Sequence, residues 1–239
     1  MSSRNSAVES KAPVQSWQAI AAIIDHTLLK PDATPSQVVE LCDEAREYGF
    51  GSVMVNPCYV SLVNSQLCGS NVKIGAVVGF PSGATLTSVK IFEANECMKR
   101  GAREIDMVMN IGALKGGDRE LVLGEIRALA ETVHAQSALL KVILETFLLT
   151  NEEKVIACEL AEKAGADFVK TSTGFLRGVA TVEDVALMRH TVKIGVKASG
   201  GIRTAADARA MIEAGANRLG TSSGVSIIRE LRGQAAGQK

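Results

Sequence analysis

The sequence is short of several residue types that advertise function. Three histidines, His26, His134 and His190, lie far apart in 239 residues and share no ligand spacing, which argues against a histidine-built metal site. Five cysteines form an odd set without a CxxC pair, a pattern that fits reduced thiols in a cytoplasmic protein rather than a disulfide framework. Aromatic residues are only 4%, too few for a base-stacking surface, and 26 basic residues are balanced by 26 acidic ones, so no face for nucleic acid is advertised. The longest early apolar run, residues 19–24, is too short for a signal core or a membrane span. What remains is a neutral chain with 46% hydrophobic and 22% charged residues, enough to bury a sizeable core in one domain.

Residues 1–16 are polar and Ser-rich and are expected to be disordered, the fold to occupy residues 17–232, and residues 233–239 to form a flexible tail. Between them a strand–helix cycle recurs. Strands are predicted over 23–28, 52–56, 72–79, 104–110, 139–145, up to Lys170, 193–198 and 218–221. Helices are predicted over 34–48, 59–67, 88–100, 119–134, 150–165, from Thr181, over 204–215 and 225–231. Thr34-Pro35-Ser36-Gln37 and Thr150-Asn151-Glu152-Glu153 read as capping boxes. Gly49, Gly101, Gly165 and Gly215 each close a helix shortly before a strand. Eight such units imply parallel strands with helical crossovers, closing into an α/β single (β/α)8 TIM barrel. A doubly wound open sheet is the other architecture, but no GxGxxG follows the first strand.

One stretch, Asp167-Phe168-Val169-Lys170-Thr171-Ser172-Thr173-Gly174-Phe175, puts a lysine on a short strand that breaks into a Ser/Thr/Gly loop. A lysine in a barrel interior is costly to desolvate and loses part of its pKa, which makes its amine a nucleophile; a solvent-facing edge lysine is the other reading. Side chains alternate along a strand, so Lys170 shares a face with Phe168 and Ser172, and Lys197 with Gly195 and Ser199. Lys141 aligns with Ile143 and Glu145, and Asp106 with Glu104, Val108 and Asn110. If these faces point inward, three amines and a carboxylate meet at the C-terminal mouth, where barrels place their active sites. That set suits a Schiff-base lysine, a cationic neighbour that keeps it neutral and a carboxylate that shuttles protons. After the seventh and eighth strands, Ser199-Gly200-Gly201-Ile202-Arg203 and Gly220-Thr221-Ser222-Ser223-Gly224 have the composition and position of a phosphate site.

Asp25-His26-Thr27-Leu28-Leu29, Val77-Val78-Gly79-Phe80-Pro81, Glu104-Ile105-Asp106-Met107-Val108, the Lys170 stretch, Val196-Lys197-Ala198-Ser199-Gly200-Gly201-Ile202 and Gly220-Thr221-Ser222-Ser223 occur in the order of the deoxyribose-phosphate aldolases. From about residue 20 to residue 231 the chain resembles that class I, Schiff-base family. The resemblance implies reversible cleavage of 2-deoxy-D-ribose 5-phosphate to D-glyceraldehyde 3-phosphate and acetaldehyde, with no metal or organic cofactor. It implies small-molecule partners alone (no nucleic acid, no membrane) and a homodimer. By motif position Lys170 resembles the Schiff-base lysine, Lys197 the residue that lowers its pKa and Asp106 the proton-relay carboxylate. Gly174, Gly200, Gly201, Ser222 and Ser223 resemble the phosphate contacts, and Thr171 and Lys141 are counted with them as substrate-binding residues. The chain departs from the family at Leu176-Arg177-Gly178-Val179, where small residues and a Gly-Gly pair are usual. That leaves the shape of the phosphate-side loop open, and Arg177 could itself meet an anion. Met54 replaces a common cysteine, which the mechanism does not need. Two other readings stay open: a sugar-phosphate isomerase or epimerase using Asp106 and Glu145 as acid and base, and a catalytically silent sugar-phosphate-binding barrel.

Overall fold

In the computed structural model, which describes residues 16–176 and 178–236, eight parallel strands close into a barrel in sequence order. They are β1 (Ile24–Leu28), β2 (Ser52–Val55), β3 (Lys73–Val78), β4 (Glu104–Val108), β5 (Leu139–Ile143), β6 (Phe168–Lys170), β7 (Gly195–Ser199) and β8 (Arg218–Thr221), and β8 pairs back onto β1. The helices are α1 (Trp17–Ala21), α2 (Pro35–Tyr48), α3 (Val60–Gln66), α4 (Thr87–Lys99), α5 (Ile111–Lys115), α6 (Arg119–His134), α7 (Asn151–Lys163), α8 (Val182–Thr191), α9 (Ala205–Glu213) and α10 (Gly224–Ala236). The expected TIM barrel is therefore the fold. The earlier readings of residues 1–15 and of Arg177 lie outside the described residues.

Local chemistry sets most of the boundaries. Thr34 with Gln37 and Thr150 with Glu153 form the expected capping boxes, and Thr204 with Asp207 forms a third. The four helix-ending glycines all take positive φ. Differences cluster at the strand ends. β4 stops at Val108, and Asn110, expected inside the strand, instead caps the unexpected α5 by accepting the Ala113 N–H at 3.0 Å. β5 stops at Ile143 because Glu145 turns left-handed, with φ 56°. α10 continues through Gly233, where a tail was expected, to Ala236.

Between barrel and helices lies the main apolar core, which leaves the inside of the barrel a separate chemical compartment. Leu29, Met54 and Val77, with Phe80, make a small apolar cluster on the β1–β3 side. The other side is polar, and the register says why. Asp106 stands opposite Lys141, Ile143 opposite Lys170, and Lys170 opposite Lys197, so the charged side chains of β4–β7 share one interior face at adjacent heights.

The β3–α4 loop is fastened to the end of β4 at one glycine. A Cβ at Gly83 would lie 2.0 Å from the Met109 carbonyl oxygen, and Gly83 has φ +69°. Gly69 has a similar φ of +76° but open space around it. Gly83→Ala is expected to cost about 2–4 kcal/mol and Gly69→Ala about 1 kcal/mol, since only the first adds overlap to backbone strain. Urea unfolding of the two variants checks the difference; equal losses would contradict this packing.

Candidate active site

Inside the barrel, four cationic and three acidic side chains form one network. The Asp106 carboxylate is its centre: Oδ2 accepts from Lys170 Nζ at 2.8 Å and from Lys197 Nζ at 2.8 Å, and Oδ1 from Lys141 Nζ at 3.0 Å. Lys141 also donates to Glu104 Oε2 at 2.6 Å. Lys197 pairs with Asp25 as well. Arg218 closes the set from β8, bonding Asp25 Oδ1 through Nε at 2.9 Å and Glu104 Oε2 through Nη2 at 2.9 Å. Ser52 Oγ donates to Asp25 Oδ1 at 2.7 Å.

Each of these charges was withdrawn from water at a cost of several kcal/mol, offset only if partners surround it. Burial acts to raise the pKa of Asp106, but Lys141, Lys170 and Lys197 overcome it and hold the carboxyl well below the usual carboxylate range. Asp25 is likewise lowered, by Lys197, Lys141 and Arg218 against its burial. Lys141, though desolvated, is raised by Asp106, Glu104 and Asp25. Arg218 is raised by Asp25 and Glu104. Lys170 goes the other way. Burial pushes it down to about 8; Asp106 resists, while Lys197 and Lys141 add to the fall. With Lys141, Lys197 and Arg218 charged, the three carboxylates are already balanced, and a fourth cation is in excess. Lys170 is the amine that can lose its proton.

Lys170 is also the amine at the surface of a cavity. It is 3% exposed, against 0% for Lys141 and Lys197. It lines a pocket of about 280 Å³ whose other walls include Gly174, Gly200, Gly201, Ser222 and Ser223, all expected as phosphate contacts. Gly200 and Gly201 adopt φ +94° and +79°, a backbone bend that lets the chain approach a ligand closely. Ser222 and Ser223 lead into the 13-residue α10, whose free N–H groups and positive dipole end favour an anion. Arg203 and Lys30 add positive charge to the same pocket. An amine with a lowered pKa and an anion cradle in one pocket suit imine chemistry on an aldehyde that carries a phosphate.

Two expected substrate contacts fall elsewhere. Lys141 lies one inward position below Lys170, fully buried and consumed by Glu104 and Asp106, so it holds the network and does not line the pocket. Thr171 is buried too, and its hydroxyl donates to the Ser199 carbonyl and accepts the Ser199 N–H, joining β6 to β7. Asp25, Arg218 and Lys30 were not singled out from sequence. For Asp25 and Arg218 a signal existed, since each stands two residues from an inward position, Thr27 or Gly220, that lines the pocket. For Lys30, a loop residue, there was none. Thiol chemistry has no support here: burial pushes Cys42 up to about 11 and Cys97 and Cys158 up to about 12. Met54 is fully buried against the apolar side of the barrel.

Comparison with known proteins follows the same lines. The family model for DeoC/LacD family aldolases matches residues 19–231. A deoxyribose-phosphate aldolase of Thermoanaerobacter sp. strain X514 is 58% identical over 214 residues, 88% of this chain and 96% of that relative. Among solved structures, a putative deoxyribose-phosphate aldolase from Coccidioides immitis superposes with TM-score 0.89 at 46% identity, covering 92% of this chain and 88% of the other. A tetrameric deoxyribose phosphate aldolase from Aeropyrum pernix gives 0.87 at 34% identity, covering 92% and 93%.

Lys197 and Lys170 each lie 2.8 Å from the same Asp106 oxygen, so the influence of one amine on the other can be tested by substitution. Removing it by Lys197→Leu withdraws one of the causes that lower Lys170 and leaves Asp106 less neutralised; both effects raise the Lys170 pKa above about 8. The pH profile of imine formation with a small aldehyde should then shift its rising limb to higher pH. An unmoved limb would contradict this role.

Proposed function

The chain belongs to the DeoC/LacD family of aldolases and is a lyase, and we propose that it reversibly cleaves 2-deoxy-D-ribose 5-phosphate to D-glyceraldehyde 3-phosphate and acetaldehyde through a Schiff base on Lys170. The observation that carries the reading is the position of Lys170, lowered to about 8 and opening onto the pocket whose far walls are the Gly200-Gly201 and Ser222-Ser223 loops.

Neutral Lys170 adds to the C1 aldehyde of the open-chain sugar, and loss of water from the carbinolamine gives an iminium. The iminium withdraws electrons, so the C2–C3 bond breaks, leaving an enamine on the lysine and C3 as the aldehyde of the released triose phosphate. Asp106, 2.8 Å from Lys170 Nζ, faces the nitrogen on which positive charge develops and stabilises it without reorganising. In this reading Asp106 also receives the C3-hydroxyl proton through a water, passes it on to protonate the enamine, and Lys197 shares that proton traffic from 2.8 Å. Hydrolysis of the new imine frees acetaldehyde.

The isomerase alternative required Glu145 as a second acid–base group. Glu145 is buried, its Oε2 is held by Thr173, and it makes no bond to the Asp106 network, so it is not paired with Asp106 as that reading needs. The homodimer implied by the resemblance and the cytoplasmic location expected from the cysteine pattern belong to the same proposal.

Borohydride reduction in the presence of acetaldehyde or deoxyribose 5-phosphate, followed by peptide mass mapping, tests it. An adduct on Lys170 alone is expected, and Lys170→Leu should fold normally while losing cleavage by at least about 10³-fold. An adduct on Lys197 or Lys141 would reverse the lysine roles. No substrate-dependent adduct would overturn the Schiff-base mechanism.

A further inference from the structure

One buried carboxylate near the mouth takes no part in the lysine network. Glu145 follows β5 and sits in the left-handed region at φ 56° and ψ 63°, a conformation unusual for a residue other than glycine. The bonds around it explain what the turn achieves. Leu144 N–H donates to the Lys170 carbonyl at 2.9 Å, and Thr146 N–H donates to the Thr171 carbonyl at 3.0 Å. Backbone bonds to the end of β6 thus flank Glu145 beyond the last ladder pair, and its side chain reaches Thr173. There Oε2 accepts both the Thr173 N–H, at 3.1 Å, and the Thr173 hydroxyl. The same hydroxyl oxygen accepts the Phe175 N–H at 3.1 Å.

This chain of bonds runs from the rigid end of a barrel strand into the wall of the pocket. Thr173, Gly174 and Phe175 line that pocket, and Gly174 takes φ +79° between the two bonded residues. Without a fixed anchor, a Thr-Gly-Phe segment of this kind has many accessible conformations, and fixing the Gly174 backbone between its two bonded neighbours for a ligand costs entropy at each binding event. A carboxylate accepting two bonds from one residue is a strong anchor, because charge-assisted bonds are about twice as strong as neutral ones. Glu145 Oε2 is engaged by both Thr173 donors, Oε1 has no partner among the described residues, and the side chain does not line the pocket.

We propose that Glu145 is a positioning residue for the phosphate end of the pocket, acting through Thr173 to preorganise the Thr173–Phe175 wall. This rests on the aldolase reading, and it makes a distinct claim: loss of Glu145 impairs recognition of the phosphate and spares the chemistry at Lys170.

Glu145→Leu removes the anchor. The KM for deoxyribose 5-phosphate should rise about tenfold or more, and inhibition by inorganic phosphate should weaken by a similar factor, as loss of bonds to a charged group implies. Turnover of unphosphorylated 2-deoxyribose, and borohydride trapping of Lys170 by acetaldehyde, should stay within about twofold of the parent. A merely structural role would lower both substrates together or leave both KM values unchanged, and either result overturns the proposal. If Glu145→Leu does not fold, the isosteric Glu145→Gln carries the test. Its amide oxygen accepts the same bonds more weakly, so a rise of about threefold confined to the phosphorylated substrate is expected, and an unchanged KM overturns the proposal. Acetaldehyde trapping in the parent protein separates the two claims: its absence would sink the aldolase reading, whereas its presence beside a substrate-blind Glu145 effect would sink only this one.

Discussion

The structure turns on a single carboxylate that three ammonium groups share. Asp106 can bind Lys141, Lys170 and Lys197 at once because β4 to β7 are successive strands of the barrel wall and the long lysine stems converge on its carboxylate in the interior. A lone buried carboxylate would take up a proton, and a lone buried ammonium would lose one. Together they remain ionised until positive charge exceeds negative. Asp25 and Glu104 bring the carboxylates to three, and Arg218 bridges those two. The excess then falls on Lys170. Its lowered pKa is a property of the whole network and not of one neighbour.

Such a network needs room and a rigid frame, and the fold supplies both. At β8 a Cβ on Gly220 would lie 3.0 Å from Lys197 Cε and 2.9 Å from Ser199 Cβ, so a glycine there leaves space for the lysine stem. The apolar core outside the barrel fixes the strands, and the register fixes the heights at which charged groups meet. Breaking any member but the excess cation Lys170 strands its partners in a desolvated interior, typically a loss of about 3–5 kcal/mol. Stability and the lowered pKa of Lys170 are therefore coupled at Asp106, while the Gly200-Gly201 and Ser222-Ser223 loops, built from backbone and small side chains, bond no member of the network.

Much of this could be read from residue order. Capping boxes at Thr34 and Thr150 and repeated helix-ending glycines marked the strand–helix cycle, and strand parity placed Lys170, Lys197, Lys141 and Asp106 on inward faces. Parity could not say how deep each residue lies. Lys141 and Lys170 look alike in sequence, yet one is two residues nearer the barrel floor and fully committed to Glu104 and Asp106, and the other reaches the pocket. Thr171 was grouped with the ligand contacts, but it directly follows Lys170, and successive residues of an extended chain point to opposite faces. Asp25 and Arg218 were passed over because their roles arise from each other across the β8–β1 closure, 193 residues apart in sequence. The left-handed turn at Glu145 had no signal at all, since nothing local favours that conformation for glutamate.

The claim that charge balance leaves Lys170 as the one neutral amine is best tested by NMR titration of the lysine side-chain amines, with Lys170→Leu used for assignment. The account predicts one lysine titrating near 8, absent from that variant, while Lys141 stays charged throughout the accessible range. A Lys170 amine that remains protonated above about 10, the ordinary lysine range, would contradict it.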